Sequence, residues 1–428
     1  MPHELTELRV NTVTKPAGGT VHEVGADVCV VGAGIAGLSA ALESARLGRA
    51  VVLVDALPVI GGQMVNSLIG LFCGVFGNAP EHRQLTHGIF DDIFRDLGET
   101  GDLHFSRRGT TVVHYDEVAL GRWLETTVRA LGVRVVLGAV IQGVEVTEGR
   151  VRSVLLATRH GNVGVSATGF VDASGDAALT WEAGLPCRVP ERRIYGSQQV
   201  LVEHLDETHQ PSPEELAERL GTKATEYGLV RHDGLAFFFP GRGTAVLNMT
   251  HIEAPLDPVQ ASEVQLDGKA QADRVIAFLR AEYPEAFRNA RVRAYGFPGR
   301  RQTRWIKGLH QLTADEVRAG IRFEDAVART AWPIELHDRP EGYVWETFDA
   351  DHVHYVPLRS MIPPDVHNLV AAGRCIDADA AALSSVRVMG PCAAMGAGAA
   401  HSLDLAGANS VHDVDPAQLQ QRLSANLD

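Results

Sequence analysis

Residues 26–56 read ADVCVVGAGIAGLSAALESARLGRAVVLVDA, and what they form decides the fold. Val28 to Val31 is a short apolar run of strand type. It leads directly into Gly32-Ala33-Gly34-Ile35-Ala36-Gly37, after which small and apolar residues recur at helical spacing to about Leu47. A second apolar strand, AVVLVD, ends at Asp55. In such a unit Gly32 permits the tight turn, Gly34 lets a pyrophosphate approach the backbone, and Gly37 lets the helix pack on the strand. The helix N-terminus offers free N–H groups and a positive dipole end to phosphate. Asp55 is spaced to accept from a ribose hydroxyl. A glycine pattern alone is weak evidence. Strand, glycines, helix, strand and terminal acid in series predict a dinucleotide cradle.

Downstream, residues 56–80 read ALPVIGGQMVNSLIGLFCGVFGNAP, without one Lys, Arg, Asp or Glu. The length would cross a bilayer, which needs ~20 mostly apolar residues. Five glycines and Pro58 argue against a lone spanning helix, and no Lys or Arg cluster flanks the run to set a topology. No membrane span is expected. The run is expected to line a site, with Leu68, Leu71, Phe72, Val75 and Phe76 excluding water. Asn66, Cys73 and Asn78 would be its few polar groups, as ligand pockets require.

The totals agree with a cytoplasmic globular protein. At 428 residues the chain has room for two or three domains, or one α/β unit with an inserted lobe. A formal charge of −14 argues against nucleic-acid binding, which needs a basic face. The five cysteines are scattered with no Cys-x-x-Cys, which suggests a reducing, cytoplasmic setting. The opening MPHELTELRVNTVTKPAGG has early acids and no apolar h-region, so it does not read as a signal peptide.

Beyond the cradle, Gly61-Gly62 follows Asp55 closely, and IGGQMVNSLIG fits an LGG-x-x-T-x-x-x-x-G segment except that Asn66 stands near the usual Thr or Ala. GFVDASGDAAL closes a helix-then-strands stretch, FPGRRQTRWIKGLHQLTADEV follows, and GRCIDADAAALSSVRVMGPCAAMGAGAA ends the series. In this order the motifs resemble those of the FAD-dependent oxidoreductases with a glutathione-reductase-type FAD-binding domain, over roughly Asp27 to Ala406. The resemblance implies an α/β fold: a Rossmann-like FAD-binding domain (parallel sheet with helices and a small β-meander) plus an inserted α+β substrate lobe. The FAD domain would be discontinuous, 25–190 and 350–410, with a substrate lobe at 191–349. Residues 1–24 would be an N-terminal extension and 411–428 a C-terminal helix.

The resemblance also implies which residues meet FAD. Gly32, Ala33, Gly34, Ala36 and Gly37 form the cradle, with Asp55 and Ala56 beside it. Gly61, Gly62 and Gln63 follow, and Val140 takes the position whose backbone meets the adenine. Ala173, Ser174, Gly175 and Asp176 reach the pyrophosphate region. Gly373 and Arg374, then Arg387, Met389, Pro391, Cys392 and Ala393, approach the flavin. Pro391 suits a first helical turn, and that helix N-terminus would stabilise a reduced, anionic flavin.

Two absences narrow the chemistry. Without Cys-x-x-Cys a disulfide reductase is disfavoured. No second strand–GxGxxG–helix unit is found, so the organic substrate itself is the expected hydride source. The expected enzyme is a dehydrogenase or oxidase passing hydride from a small organic substrate to flavin N5. An NAD(P)H-dependent monooxygenase is the alternative, and a non-redox flavin isomerase or flavin-bearing subunit is the alternative of another class. Arg301 and Arg304, beside Arg300, could clamp an anionic substrate; Gln302 stands where the family carries Glu. His354 is the first candidate base, with His352 and Tyr355 behind it, while Asn66 and Cys73 are further candidates in the site. No metal is expected, and a homo-oligomer stays open.

Overall fold

The computed structural model describes residues 10–14 and 20–428. The expected N-terminal extension lies largely outside the described residues.

The strand Val21–Val31 runs into the helix Ile35–Arg46 and then the strand Val51–Asp55. These two strands pair in parallel, Val28 opposite Val51 and Val31 opposite Val54. Arg134–Leu137 extends the sheet beyond Val51–Asp55, and Gly161–Asp172 pairs in parallel on the other side of Val21–Val31. The segments 28–31, 51–54 and 169–172 are buried throughout. The apolar runs 28–31 and 51–54, with Phe170 and Val171, are what a parallel sheet covered on both faces demands.

Gly161–Asp172 serves two further neighbours on its other edge because it is long. Its first half pairs antiparallel with Arg150–Thr158, which pairs in turn with Val140–Thr147, giving the β-meander. Its last three residues pair in parallel with Leu369–Ala371, brought back from nearly 200 residues downstream. The sheet therefore has seven strands. The segment 133–141, VRVVLGAVI, reads as one apolar strand but is divided between two, Arg134–Leu137 and Val140–Thr147, because Gly138 turns the chain at φ +61°.

The helix Met389–Ala406 packs against Ile35–Arg46 at close range. A Cβ on Gly396 would stand 2.1 Å from the Ala36 carbonyl oxygen, and Ser39 Oγ donates to Ala393 O at 2.7 Å. Only small side chains permit this approach, which explains the run of Ala and Gly.

A second core lies in residues 200–295. Strands run in the order Leu235–Phe239, Thr244–Asn248, Val200–Glu203 and Arg291–Tyr295, all antiparallel. The Gly241-Arg242-Gly243 turn closes the first hairpin, both glycines at positive φ. Helix Pro258–Glu282, capped by Asp257, buries Val275, Ile276, Phe278 and Leu279 against the core of that sheet. Each such side chain contributes roughly 1.5–3 kcal/mol of burial. The C-terminal segment forms two short helices, Pro416–Arg422 and Ser424–Leu427, where one was expected.

The uncharged run is folded into the protein. It forms the short helix Gly62–Asn66, the strand Leu71–Phe72 and loops, and no described helix is long and apolar enough to cross a membrane.

Candidate active site

The glycine turn has three different reasons for its three glycines. Gly32 sits at φ +105°, and a Cβ there would lie 2.2 Å from Ala173 O. On Gly37 a Cβ would meet Gly32 O at 1.8 Å. Both are dictated by the protein's own packing. Gly34 is not: its φ is −81°, and an added Cβ would approach only Gly62 Cα, at 3.9 Å. Open space at the N-terminus of a helix is what a phosphate group occupies.

The other predicted segments converge on this turn. Asp55 Oδ2 accepts from Ala33 N at 2.6 Å and Oδ1 from Leu57 N at 2.8 Å. Burial raises the Asp55 carboxyl and these two N–H groups oppose it. Each oxygen keeps lone-pair capacity for a hydroxyl donor. Gly61 N donates to Ala33 O at 2.9 Å, and a Cβ on Gly62 would strike Gly34 Cα at 2.5 Å. Ala173 N donates to Val31 O at 2.8 Å. The buried Asp172 carboxylate holds the next turn through Ser174 Oγ at 2.7 Å and Thr180 N at 2.8 Å. A Cβ on Gly175 would strike the Arg374 guanidinium, and Arg374 lies 3.5 Å from Asp176. A Cβ on Gly373 would meet Ala36 Cβ at 3.1 Å and Cys392 Sγ at 3.6 Å. Ala56 and Val140 are exposed at the rim; beside Val140, Ala139 N donates to Asp55 O at 3.0 Å. Gln63 is engaged elsewhere: its amide clasps the backbone N–H and carbonyl of Arg300 at 3.0 and 3.1 Å.

This cradle suits FAD. Besides the open face of Gly34, the buried Arg374 Nη1 and Arg387 Nε lack partners among the described residues. Unpaired buried donors are costly and here are cationic, as an anionic cofactor requires.

The uncharged run divides by strand alternation. Phe72 and Phe76 turn into an aromatic core with Phe90, Phe94, Phe105 and Tyr115; the Phe72 and Tyr115 rings are 4.2 Å apart. Leu68 packs with Leu201 and Val246. These side chains therefore fill core rather than the expected cavity wall. The backbone of Cys73 and Gly74 faces the other way. Cys73 O accepts from Gly390 N at 2.9 Å, and a Cβ on Gly74 would strike Val388 at 2.5 Å. The run thus docks on the N-terminus of Met389–Ala406, whose first turn includes Met389 and Pro391.

Among the candidate catalytic residues, several are occupied with structure. Asn66 Nδ2 donates to Gly62 O at 3.0 Å, and Asn78 Nδ2 to Asp349 O at 3.2 Å. Burial pushes the Cys73 thiol up, with Glu335 adding to that and Arg387 opposing it, so the sulfur stays a neutral thiol. His354 is fully buried, its Nε2 2.8 Å from Ser385 Oγ and its Nδ1 3.1 Å from His352 Nε2. Burial, then His352, depresses it to about 3. Neither ring nitrogen faces open space. His352 stacks on Phe348 at 4.0 Å, and the Arg322 guanidinium lies over the Tyr355 ring. Arg304 stacks on Trp181 at 4.3 Å and donates to Asp176 O at 3.1 Å. Gln302 Nε2 donates to Ala380 O at 2.7 Å.

Arg301 differs from these. It is buried, donates to Tyr195 O at 2.8 Å, and forms no ion pair among the described residues. Burial, then the like charge of Arg387, lowers it to about 9. It borders a buried polar cluster that sequence reading missed. Glu335 Oε1 is 2.8 Å from His337 Nε2, His337 Nδ1 is 2.8 Å from His251 Nε2, and His251 Nδ1 is 2.8 Å from Pro340 O. Trp332 Nε1 donates to Glu335 Oε2 at 3.1 Å, and Arg387 Nη2 to the Glu335 carbonyl at 3.1 Å. Burial favours a neutral Glu335, but His337, Arg387 and Arg301 outweigh it and hold the carboxylate ionised. One signal was available: Glu335 and His337 alternate on one face of an extended segment. His251, 84 residues earlier, carried none.

Comparison with known proteins follows this geometry. A family model described as FAD dependent oxidoreductase matches residues 27–423. A KsdD-like steroid dehydrogenase of Mycolicibacterium smegmatis is 52% identical over 68 residues, which are 15% of this chain and 12% of that protein's length. Among solved structures, a geranylgeranyl bacteriochlorophyll reductase-like protein from Thermoplasma acidophilum aligns with TM-score 0.48 at 14% identity, covering 94% of this chain and 83% of its own. A triple mutant of a flavin-dependent brominase aligns with TM-score 0.47 at 12% identity, covering 93% and 84%.

Proposed function

The chain belongs to the FAD-dependent oxidoreductase family, and from that premise we propose that it is a dehydrogenase or oxidase acting on a small anionic organic substrate. Bound FAD supplies the chemistry of a two-electron acceptor, taking hydride from a C–H bond next to a heteroatom or carbonyl. The residues proposed to hold it are the glycine turn with Asp55, Gly61-Gly62, Ala173 to Asp176, Arg374 and the first turn of Met389–Ala406. Within the family we place the chain in the glutathione-reductase-type subgroup, on the order of its four motifs. The FAD domain is proposed as 25–190 with 350–410, and the substrate lobe as 191–349.

The observation that carries the substrate class is Arg301. A buried guanidinium without a carboxylate partner is a binding group for one. Arg387 stands close enough to lower it further, so the pair forms an excess of positive charge facing Glu335. Burial keeps water out and strengthens that attraction. The absence of a second dinucleotide unit in the sequence supports a substrate-borne hydride over NAD(P)H. The dehydrogenase named among its relatives supports the same direction.

Anaerobic mixing tests the reading. A panel of 2-hydroxy acids and amino acids should contain a member that bleaches the flavin without NAD(P)H. Bleaching by NADPH alone would overturn the proposal.

A further inference from the structure

The Glu335–His337–His251 chain contains a proton count that the fold fixes. Its three contacts, His251 Nδ1 to Pro340 O, His251 Nε2 to His337 Nδ1, and His337 Nε2 to Glu335 Oε1, are each 2.8 Å. Each needs one hydrogen. Pro340 O only accepts, so His251 Nδ1 carries the first. Two neutral imidazoles bring two protons in total, and the third must come from elsewhere. It sits on His337, as imidazolium against the Glu335 carboxylate that His337, Arg387 and Arg301 hold ionised. The trio is hydrogen-bonded throughout only with three protons. With two, lone pairs face each other at one contact, and the trio is a base short of one proton.

Only one end of this chain is open. The Glu335 side chain is 18% exposed, the His337 side chain 0%, and His251 is 1% exposed. Trp332 fixes Oε2 of Glu335, and Arg387 fixes its main-chain carbonyl. The groups facing the trio are known from every side. Arg301 and Arg387 face Glu335, together with the neutral Cys73 thiol. Arg231, itself paired with Asp233, and Arg301 face the imidazoles. Tyr343 stacks on His337 at 4.7 Å, its phenol pushed up to about 12 by burial and Glu335, and Tyr195 stacks on His251 at 5.7 Å. The cationic side outnumbers the anionic and, with burial acting on the imidazoles, lowers both rings and Glu335, so the third proton is readily released.

We propose that Glu335 is the catalytic acceptor of the substrate's O–H or N–H proton, with His337 and His251 as positioning residues that share it. This rests on the function proposed above and specifies its substrate as one whose reacting carbon bears a hydroxyl or amino group. The O–H or N–H bond breaks and its proton enters the trio at Glu335. Its electron pair becomes the new C=O or C=N bond, while the C–H pair leaves with hydrogen as hydride to the family's FAD. The substrate loses two electrons, the cofactor gains two, and the trio ends with three protons.

Ring-15N histidine NMR of the FAD-loaded protein reads the count directly. Wild type should show two imidazoles joined by an N–H···N bond, one of them gaining a second ring proton as pH is lowered through and below the ordinary histidine range. Glu335→Gln should abolish that gain while FAD content stays unchanged. Rings with one proton each at every pH, in both proteins, would overturn the relay. With a 2-hydroxy or amino acid that bleaches wild type, Glu335→Gln should slow bleaching by about 10²-fold or more, and His251→Gln should shift its pH midpoint. Slowing of less than about threefold would overturn the role of Glu335, since general base catalysis is worth far more. If no acid bleaches wild type, the function proposed above fails and the role of Glu335 with it. If wild type is bleached but the rings show no third proton, only the relay fails.

Discussion

Asp55 Oδ2 accepts the backbone N–H of Ala33 at 2.6 Å, tying the acid that ends the second strand to the glycine turn that follows the first. The two strands are parallel neighbours, so the turn, the acid and the helix N-terminus form one mouth. A Cβ on Gly34 would point into that mouth and meet protein no closer than Gly62 Cα, at 3.9 Å.

Gly34→Val should therefore separate folding from cofactor binding. Its extended backbone admits a β-branched residue, but Val caps a helix less well than Gly, so stability should fall by only about 1 kcal/mol and leave the protein folded. FAD affinity should fall at least tenfold, read by quenching of FAD fluorescence. A variant that binds FAD like wild type would show that the phosphates lie elsewhere.

Helix packing gives a paired prediction. Gly396→Val places atoms against the Ala36 carbonyl and should cost about 1–3 kcal/mol by overpacking. Gly98→Ala, in helix Ile89–Glu99 with nothing within 4 Å of the new Cβ, should gain up to about 1 kcal/mol from helix propensity. Urea denaturation of both variants checks the contrast.

Acid should weaken the fold through His354. Burial and His352 depress it to about 3, against about 6.5 in an unfolded chain. Between those values the unfolded state binds the extra proton. Stability is thus full above about pH 6.5 and falls as pH drops, by at most about 1.4 kcal/mol per unit from this residue. His354→Gln should show a shallower loss between pH 7 and 5 in urea titrations than wild type. Equal slopes would contradict the assignment.

How much of this was legible in the sequence follows from how local each signal is. The cradle was readable because strand, turn, helix and acid lie within about 30 residues, the size of one βαβ unit. The return of Leu369–Ala371 to the sheet was legible through the motif it carries. The aromatic side of the uncharged run was misread as cavity wall: Phe72 and Phe76 find Phe90, Phe94 and Phe105, partners that no pattern around residue 72 announces. His354 was singled out for its strand, yet its two neighbours consume both ring nitrogens. The Glu335–His337–His251 chain escaped because it joins residues from two distant segments, and only tertiary packing brings His251 to His337.

Arg301→Met should leave FAD content unchanged and lower kcat/KM for an acid substrate about tenfold to a hundredfold, since a hydrogen bond to a charged group contributes roughly 1.5–3 kcal/mol. Arg301→Lys should recover only part of this, because a point charge cannot reproduce the planar fork. Steady-state kinetics with FAD in excess gives both numbers.

The most direct measurement is anaerobic stopped-flow bleaching of the flavin by a reactive acid and by its methyl ester. A substrate held by Arg301 through its carboxylate should reduce the flavin, with the ester at least tenfold slower at equal concentration, the loss of one charge-assisted hydrogen bond. Equal rates for acid and ester, or a flavin that only NADPH reduces, would contradict the account.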